Sequence, residues 1–128
     1  MLNFALTPEQ IELRDKARRF ALNEVLPVAW HYDEKDELPL HILKRAWDEG
    51  IMNLTIPIKF GGQGRGMLES ALVVEEISAA CSGLATSIFD NSLGTEPLLL
   101  TRNVQLKEKL LPVLVKEGFR FSWVSPWG

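Results

Sequence analysis

The feature that most constrains this chain is the spacing of its apolar residues, which return every three or four positions almost from end to end. Leu13, Ala17, Phe20, Ala21 and Val25 fall near a helical period, and Leu106, Leu110 and Leu114 repeat it far downstream. No segment before Phe119 shows the period-two alternation of a half-buried strand. Residues 1–118 therefore predict an all-α domain of five to six helices in an orthogonal or up-down bundle. Residues 119–128 read as a short extended tail.

Punctuation divides that pattern into elements. Thr7, Pro8 and Gln10 supply an N-cap, a first-turn proline and a capping box for a first helix that runs toward Leu26, where Pro27 bends or ends it. The polar run over residues 31–37 reads as a loop. A second helix starts near Pro39, buries Leu40, Leu43, Ala46 and Trp47, and ends with Gly50 as its left-handed residue. Residues 51–66, with Pro57 and four glycines, predict a structured connection rather than helix. A third helix runs from Met67 to about Ala80, apolar around most of its circumference and hence buried or interfacial on several sides. A fourth spans residues 84–93 and closes at Gly94, and "TEPLLL" opens a short one. The last is capped by Asn103, kinked by Pro112 and ended by Gly118.

Charge excludes some functions. Fourteen Lys and Arg stand against seventeen Asp and Glu, a net charge of −3 with no basic face, which argues against nucleic-acid binding. The basic cluster at residues 14–19 is interrupted by Asp15 and reads as a solvated helix face, with Glu12–Lys16 and Asp15–Arg19 at supporting i,i+4 spacing. The single cysteine, Cys81, fits a reducing compartment and a small core residue. There is no secretory signal and no transmembrane segment in the pattern, so the expectation is a cytoplasmic protein or one of the mitochondrial matrix.

The motifs carry little chemistry by themselves. In "GGQGRG" a dinucleotide fingerprint needs a third glycine at the sixth position. Counting from Gly62 that position is Met67, and from Gly64 it is Glu69. A tight turn feeding the next helix explains these glycines better. His31 and His41 lack metal-ligand spacing. Glu75 and Glu76 diverge by about 100° on a helix, unlike a paired-carboxylate site, and either could be satisfied by an arginine. No catalytic constellation emerges.

The order of the blocks says more. "LTPEQIELRDKARRFALNEVLP", "AWDEGIMNLTIPIKFGGQGRGMLESALVVEEIS", "NSLG" and "QLKEKLLPVLVKEG" together resemble the N-terminal helical domain of the acyl-CoA dehydrogenases, most closely the medium-chain type, over about residues 3–126. The resemblance implies a parent subunit with this domain, a middle β-domain and a C-terminal helical domain. It implies FAD as cofactor, acyl-CoA as substrate of an α,β-desaturation, electron-transfer flavoprotein as partner, and a homo-oligomer. The base, a glutamate of the C-terminal region, lies beyond this chain's end. No catalytic residue is therefore assigned, and the isolated chain is expected to be inactive.

Two groups of site residues follow from the resemblance. Matching on "NSLG" places Ala85 and Phe89 where the family lines its acyl pocket. A ring at its floor would favour a short or branched acyl group, while Phe89 could equally be an ordinary core residue. Family members continue with an aromatic-x-x-Thr-Glu-Pro-Gly strand that touches the flavin. "FSWVSPWG" stands at that point, making Phe121, Trp123, Val124 and Ser125 the cofactor-facing candidates. Ser125 replaces either the glutamate or the threonine and Trp127 the glycine, which suggests truncation with a divergent end. The alternatives are a free-standing module that docks on full-length dehydrogenase subunits, and one part of a split dehydrogenase.

Overall fold

The structure, a computed structural model, describes residues 4–118. Its six α-helices are α1 (Pro8–Phe20), α2 (Ala29–Lys35), α3 (Leu40–Asp48), α4 (Met67–Ala80), α5 (Ser82–Leu100) and α6 (Val104–Glu117). No strand occurs among the described residues. Helix α4 lies between α1 and α5, while α5 also meets α3 and α6. The principal core gathers Leu13, Ala17, Phe20 and Val25 with Ile42, Leu43 and Ala46, Val73 and Ile77, and Leu84, Ala85 and Ile88. A smaller cluster joins Ile56, Leu98, Leu111 and Leu114.

The caps form as their residues dictate. The Thr7 hydroxyl accepts from the Gln10 amide at 3.2 Å, and Gln10 Oε1 accepts from the Thr7 amide at 3.0 Å, completing the capping box. At the end of α3, Gly50 has φ +67° and donates to Trp47 O, while Ile51 donates to Ala46 O. This pair of bonds is a Schellman motif, and it turns Ile51 fully inward.

At Pro27 the first helix bends rather than ends, the first of the two outcomes expected there, while several other expectations are corrected. Residues Ala21–Val25 widen into a π-turn, Leu26–Val28 tighten into a 3-10 turn, and α2 continues from there. The register shift makes room for the proline ring and absorbs its missing N–H. Much of the expected loop at 31–37 is consequently helix, held because Tyr32 packs on the core, and it ends where Asp36 turns left-handed at φ +54°.

Gly94 does not close a helix either, because α5 runs through it and through Pro97 to Leu100. Its buried face (Leu84, Ala85, Ile88, Asn91, Thr95 and Leu98) stays in register across the glycine. That burial outweighs the roughly 1 kcal/mol that a mid-helix glycine costs. Thr95, in the sequence a helix-opening residue, instead donates its hydroxyl to Asn91 O at 2.8 Å, four residues back.

Leu40 is 54% exposed rather than buried, since it lies six residues before Ala46, about 240° around the helix, and Ile42 takes the inward position. In α6, Leu111 replaces Leu106 in the buried stripe, and Leu106 is exposed.

In the basic cluster Arg18 and Arg19 are exposed as expected, but the ion pairs that form are not the i,i+4 ones. Arg14 pairs with Asp15, whose carboxyl this hydrogen bond holds below the usual carboxylate range. Arg18 reaches α4, making two bonds of 2.9 and 2.7 Å to Glu76, which raise its own pKa.

Residues 51–66 form the expected structured connection. Met52, Leu54 and Ile56 point inward, and Gly64 and Arg65 donate back to Ile56 O and Leu54 O, each at 2.8 Å. Gly62 sits so close to this turn that a Cβ there would lie 2.1 Å from Ile56 O. The "GGQGRG" stretch is thus a packed turn leading into α4.

Candidate functional site: an apolar groove between α4 and α5

Two long helices with apolar residues on more than one face cannot bury all of them against a domain this small. The surplus on α4 and α5 lines a groove of about 340 Å³. Helix α4 supplies Met67, Ser70, Ala71 and Val74, and α5 supplies Phe89, Ser92, Leu93 and Glu96. The connection closes the third side with Ile51, Asn53, Leu54 and Thr55. The volume falls within the range of small-molecule sites. Among the described residues the only charged liner is Glu96, whose Oε1 accepts from the Thr55 hydroxyl at 3.5 Å.

A second hollow of about 230 Å³ adjoins it and shares Val74, Phe89 and Leu93. Ala85 lines this second hollow while also packing in the core at 2% exposure. Phe89 stands at both hollows and packs against the principal core as well. The two readings of Phe89 therefore describe one ring, part of it serving the core and part of it the groove. Phe121, Trp123, Val124 and Ser125 lie outside the described residues.

Sequence reasoning missed a polar clamp beside this groove. Asn91 is 4% exposed and Asn53 holds φ +56°. The Asn91 Nδ2 donates to Asn53 Oδ1 at 2.5 Å and to Gly118 O at 3.2 Å. The Asn53 Nδ2 donates to the same Gly118 carbonyl at 2.8 Å and to Leu114 O at 3.3 Å. Gly118, at φ +77°, packs so tightly on Trp47 that a Cβ would lie 2.6 Å from the indole Cγ. Trp47 Nε1 donates to Val115 O at 3.3 Å. The end of α6 is thus fixed to α3, α5 and the connection at once. One signal was available: Asn91 occupies a core position in the 84–88–91–95–98 register, where only a hydrogen-bonded amide is tolerated.

Among the described residues no three His, Cys, Asp or Glu side chains group as a metal site, and no helix is long and apolar enough to cross a membrane. Cys81 caps α5, its Sγ accepting from the Leu84 amide at 3.5 Å.

An all-helical domain with an open apolar groove between its two central helices is the class that fold and site define. The chain belongs to the family described as acyl-CoA dehydrogenase, N-terminal domain, whose sequence profile matches residues 7–118. It is 37% identical over 122 residues to a probable medium-chain specific acyl-CoA dehydrogenase of Caenorhabditis briggsae, covering 95% of this chain and 30% of that protein. It is 33% identical over 111 residues to an acyl-CoA dehydrogenase of Bacillus subtilis, covering 85% and 29%. Butyryl-CoA dehydrogenase from Megasphaera elsdenii superposes with a TM-score of 0.79 at 26% identity, covering 91% of this chain and 32% of that one. The chain spans about 30% of the length of the curated relatives it matches.

Proposed function

We propose that this domain forms one wall of the acyl-chain site of an FAD-dependent acyl-CoA dehydrogenase acting in fatty-acid or branched-chain acyl catabolism. The supporting observation is the α4–α5 groove, whose lining is apolar apart from short hydroxyls, one amide and Glu96. Such a lining favours methylenes over water by about 25 cal/mol per Å² of apolar surface covered. Phe89 stands between the groove and the adjoining hollow that Ala85 lines, and the ring restricts the site to short or branched chains.

The groove does not fit the cofactor. Its charged liners, with those of the adjoining hollow, are Glu96 and Asp90, and neither offers a cation to a flavin's diphosphate. FAD belongs to other parts of such an enzyme, together with the cofactor-facing residues that follow Gly118. This chain supplies acyl binding and exclusion of water, and alone it desaturates nothing. Acyl-CoA and electron-transfer flavoprotein are partners of the assembled enzyme.

The reading is tested by a chimaera in which residues 1–118 replace the matching segment of a medium-chain acyl-CoA dehydrogenase. A flavin-loaded, folded chimaera should desaturate acyl-CoA with an optimum at short or branched chains. A folded, flavin-loaded chimaera that binds no acyl-CoA of any length would overturn it. The full 128-residue chain, incubated with FAD and desalted, should retain no visible flavin band.

A second reading, a module docking on full-length dehydrogenase subunits, draws on the exposed apolar residues of the same helices. Met67 and Leu93, which line the groove, and Leu68 are 72%, 58% and 52% exposed. Stoichiometric co-purification with such a subunit would favour it, and a monodisperse monomer would count against it.

A further inference from the structure

We propose that the outer side of the helical rod formed by α1, the π- and 3-10 turns and α2 is a self-association surface, on which a second copy of this chain lies antiparallel about a two-fold axis at Leu26. This surface shares no residue with the α4–α5 groove.

The rod is built as one piece. Pro8–Phe20, Ala21–Val25, Leu26–Val28 and Ala29–Lys35 follow one another with no loop between them, about 42 Å of helix. Its inner side carries Leu13, Ala17, Phe20, Ala21 and Val25 into the core. Its outer side presents Leu22, Leu26 and Trp30, spaced by four residues and 53%, 50% and 73% exposed. An apolar row on the solvent side of a helix serves no core and marks a contact surface. Leu22 and Trp30 stand four residues either side of Leu26. A two-fold axis there sets Leu26 against Leu26 and Leu22 of each copy against Trp30 of the other.

Charge selects the occupant. Residues 14–19 hold four cations (Arg14, Lys16, Arg18 and Arg19) and one acid, while residues 33–37 hold four acids (Asp33, Glu34, Asp36 and Glu37) and one cation. The basic block ends seven residues before Leu26, and the acidic block begins seven residues after it. The antiparallel pairing that matches the apolar row therefore also sets each basic block against an acidic one, whereas a parallel pairing sets like against like. A closed two-fold interface requires this kind of self-complementarity.

Arg19 and Asp33 mark the inner edges of the two blocks, and neither enters an ion pair among the described residues. Within one chain they lie about 21 Å apart along the rod and cannot meet. In the antiparallel pair each Arg19 faces Asp33 of the other copy.

Sedimentation equilibrium of the full 128-residue chain at low salt tests this. The mass should rise with concentration from that of one chain to that of two. Leu26→Glu, at a half-exposed position outside the core, should weaken the dimer about tenfold or more and leave the far-ultraviolet circular dichroism unchanged. Arg19→Glu sets acid against acid and Asp33→Arg sets cation against cation, so each should dimerise about tenfold more weakly alone. An equimolar mixture of these two single variants should associate as the wild type does, because both contacts of the mixed dimer again join opposite charges. A role for either residue inside its own chain would give no such recovery. A chain that stays monomeric at every concentration would overturn the proposal. So would a dimer that Leu26→Glu leaves intact, which would place the contact on another surface, or a mixture that associates no more tightly than either variant alone.

Discussion

The side chain of Gln10 joins the N-terminal caps of two helices by one hydrogen bond, 2.8 Å from its Nε2 to Glu69 Oε1. On one side Gln10 closes the capping box of α1 with Thr7. On the other, Glu69 Oε2 accepts from the Gly66 amide at 3.1 Å and so caps α4. The sequence separation of 59 residues makes this pair a tertiary tie between elements that each appeared locally complete.

Gln10→Ala should therefore cost more than a lone cap residue, about 1–2 kcal/mol in urea unfolding at pH 7. The effect should depend on pH. Glu69 is held below its ordinary pKa, first by the Gln10 hydrogen bond and then by backbone amides. A depressed carboxylate stabilises the fold above its unfolded pKa, near 4.3, and that contribution is lost as pH falls from there through the lower folded value. The gap between wild type and variant should narrow from pH 7 to pH 3, leaving the Thr7 cap contribution. A gap that widens on acidification would contradict this sign.

Two glycines should respond in opposite directions to alanine. At Gly62 the new methyl would meet the backbone oxygen of Ile56 at 2.1 Å, an atom that cannot move aside. Gly62→Ala should lose about 3 kcal/mol or more, or fail to fold. At Gly83, in the first turn of α5, the nearest atom is Cys81 Sγ at 4.0 Å. Gly83→Ala should gain about 0.4–1 kcal/mol. Thermal unfolding followed by circular dichroism separates the two, and a similar loss in both variants would refute the packing argument.

Phe89 links core and groove, so its truncation should have two readouts. Phe89→Ala should destabilise the domain by about 1–3 kcal/mol, less than a fully buried ring because the side chain is only half-buried. In the chimaeric dehydrogenase it should move the acyl optimum toward longer chains, changing the ratio of kcat/KM values by about tenfold or more. A stability loss with an unmoved optimum would assign Phe89 to the core alone.

What the sequence made legible was local. The caps at Thr7 and Asn103, the Schellman turn at Gly50 and the glycine turn before Met67 follow from short-range rules, and each stands where its residues put it. The errors fell at residues 31–37 and at Gly94, where local loop and breaker signals were overridden by packing of Tyr32, Thr95 and Leu98 against other elements. The family resemblance pointed to Ala85 and Phe89, of which Phe89 lines the groove and Ala85 the adjoining hollow. The facing wall from α4 and residues 51–55 depends on how the helices pack, which no short motif encodes.

The clamp at the end of α6 gives the last prediction, because it separates a backbone requirement from a hydrogen-bonding one. Asn53 adopts φ +56°, a conformation that costs an alanine about 1–2 kcal/mol and a glycine almost nothing. Its amide also supplies two bonds to α6 and accepts one from Asn91. Asn53→Gly should thus lose only the hydrogen bonds, about 1–3 kcal/mol including the exposed need of its partners. Asn53→Ala should lose that and about 1 kcal/mol more for the strained backbone. Chemical denaturation of the two variants measures the difference. If alanine proves no worse than glycine, residue 53 has relaxed out of the left-handed region, and Gly118 is then held by Asn91 and Trp47 without it.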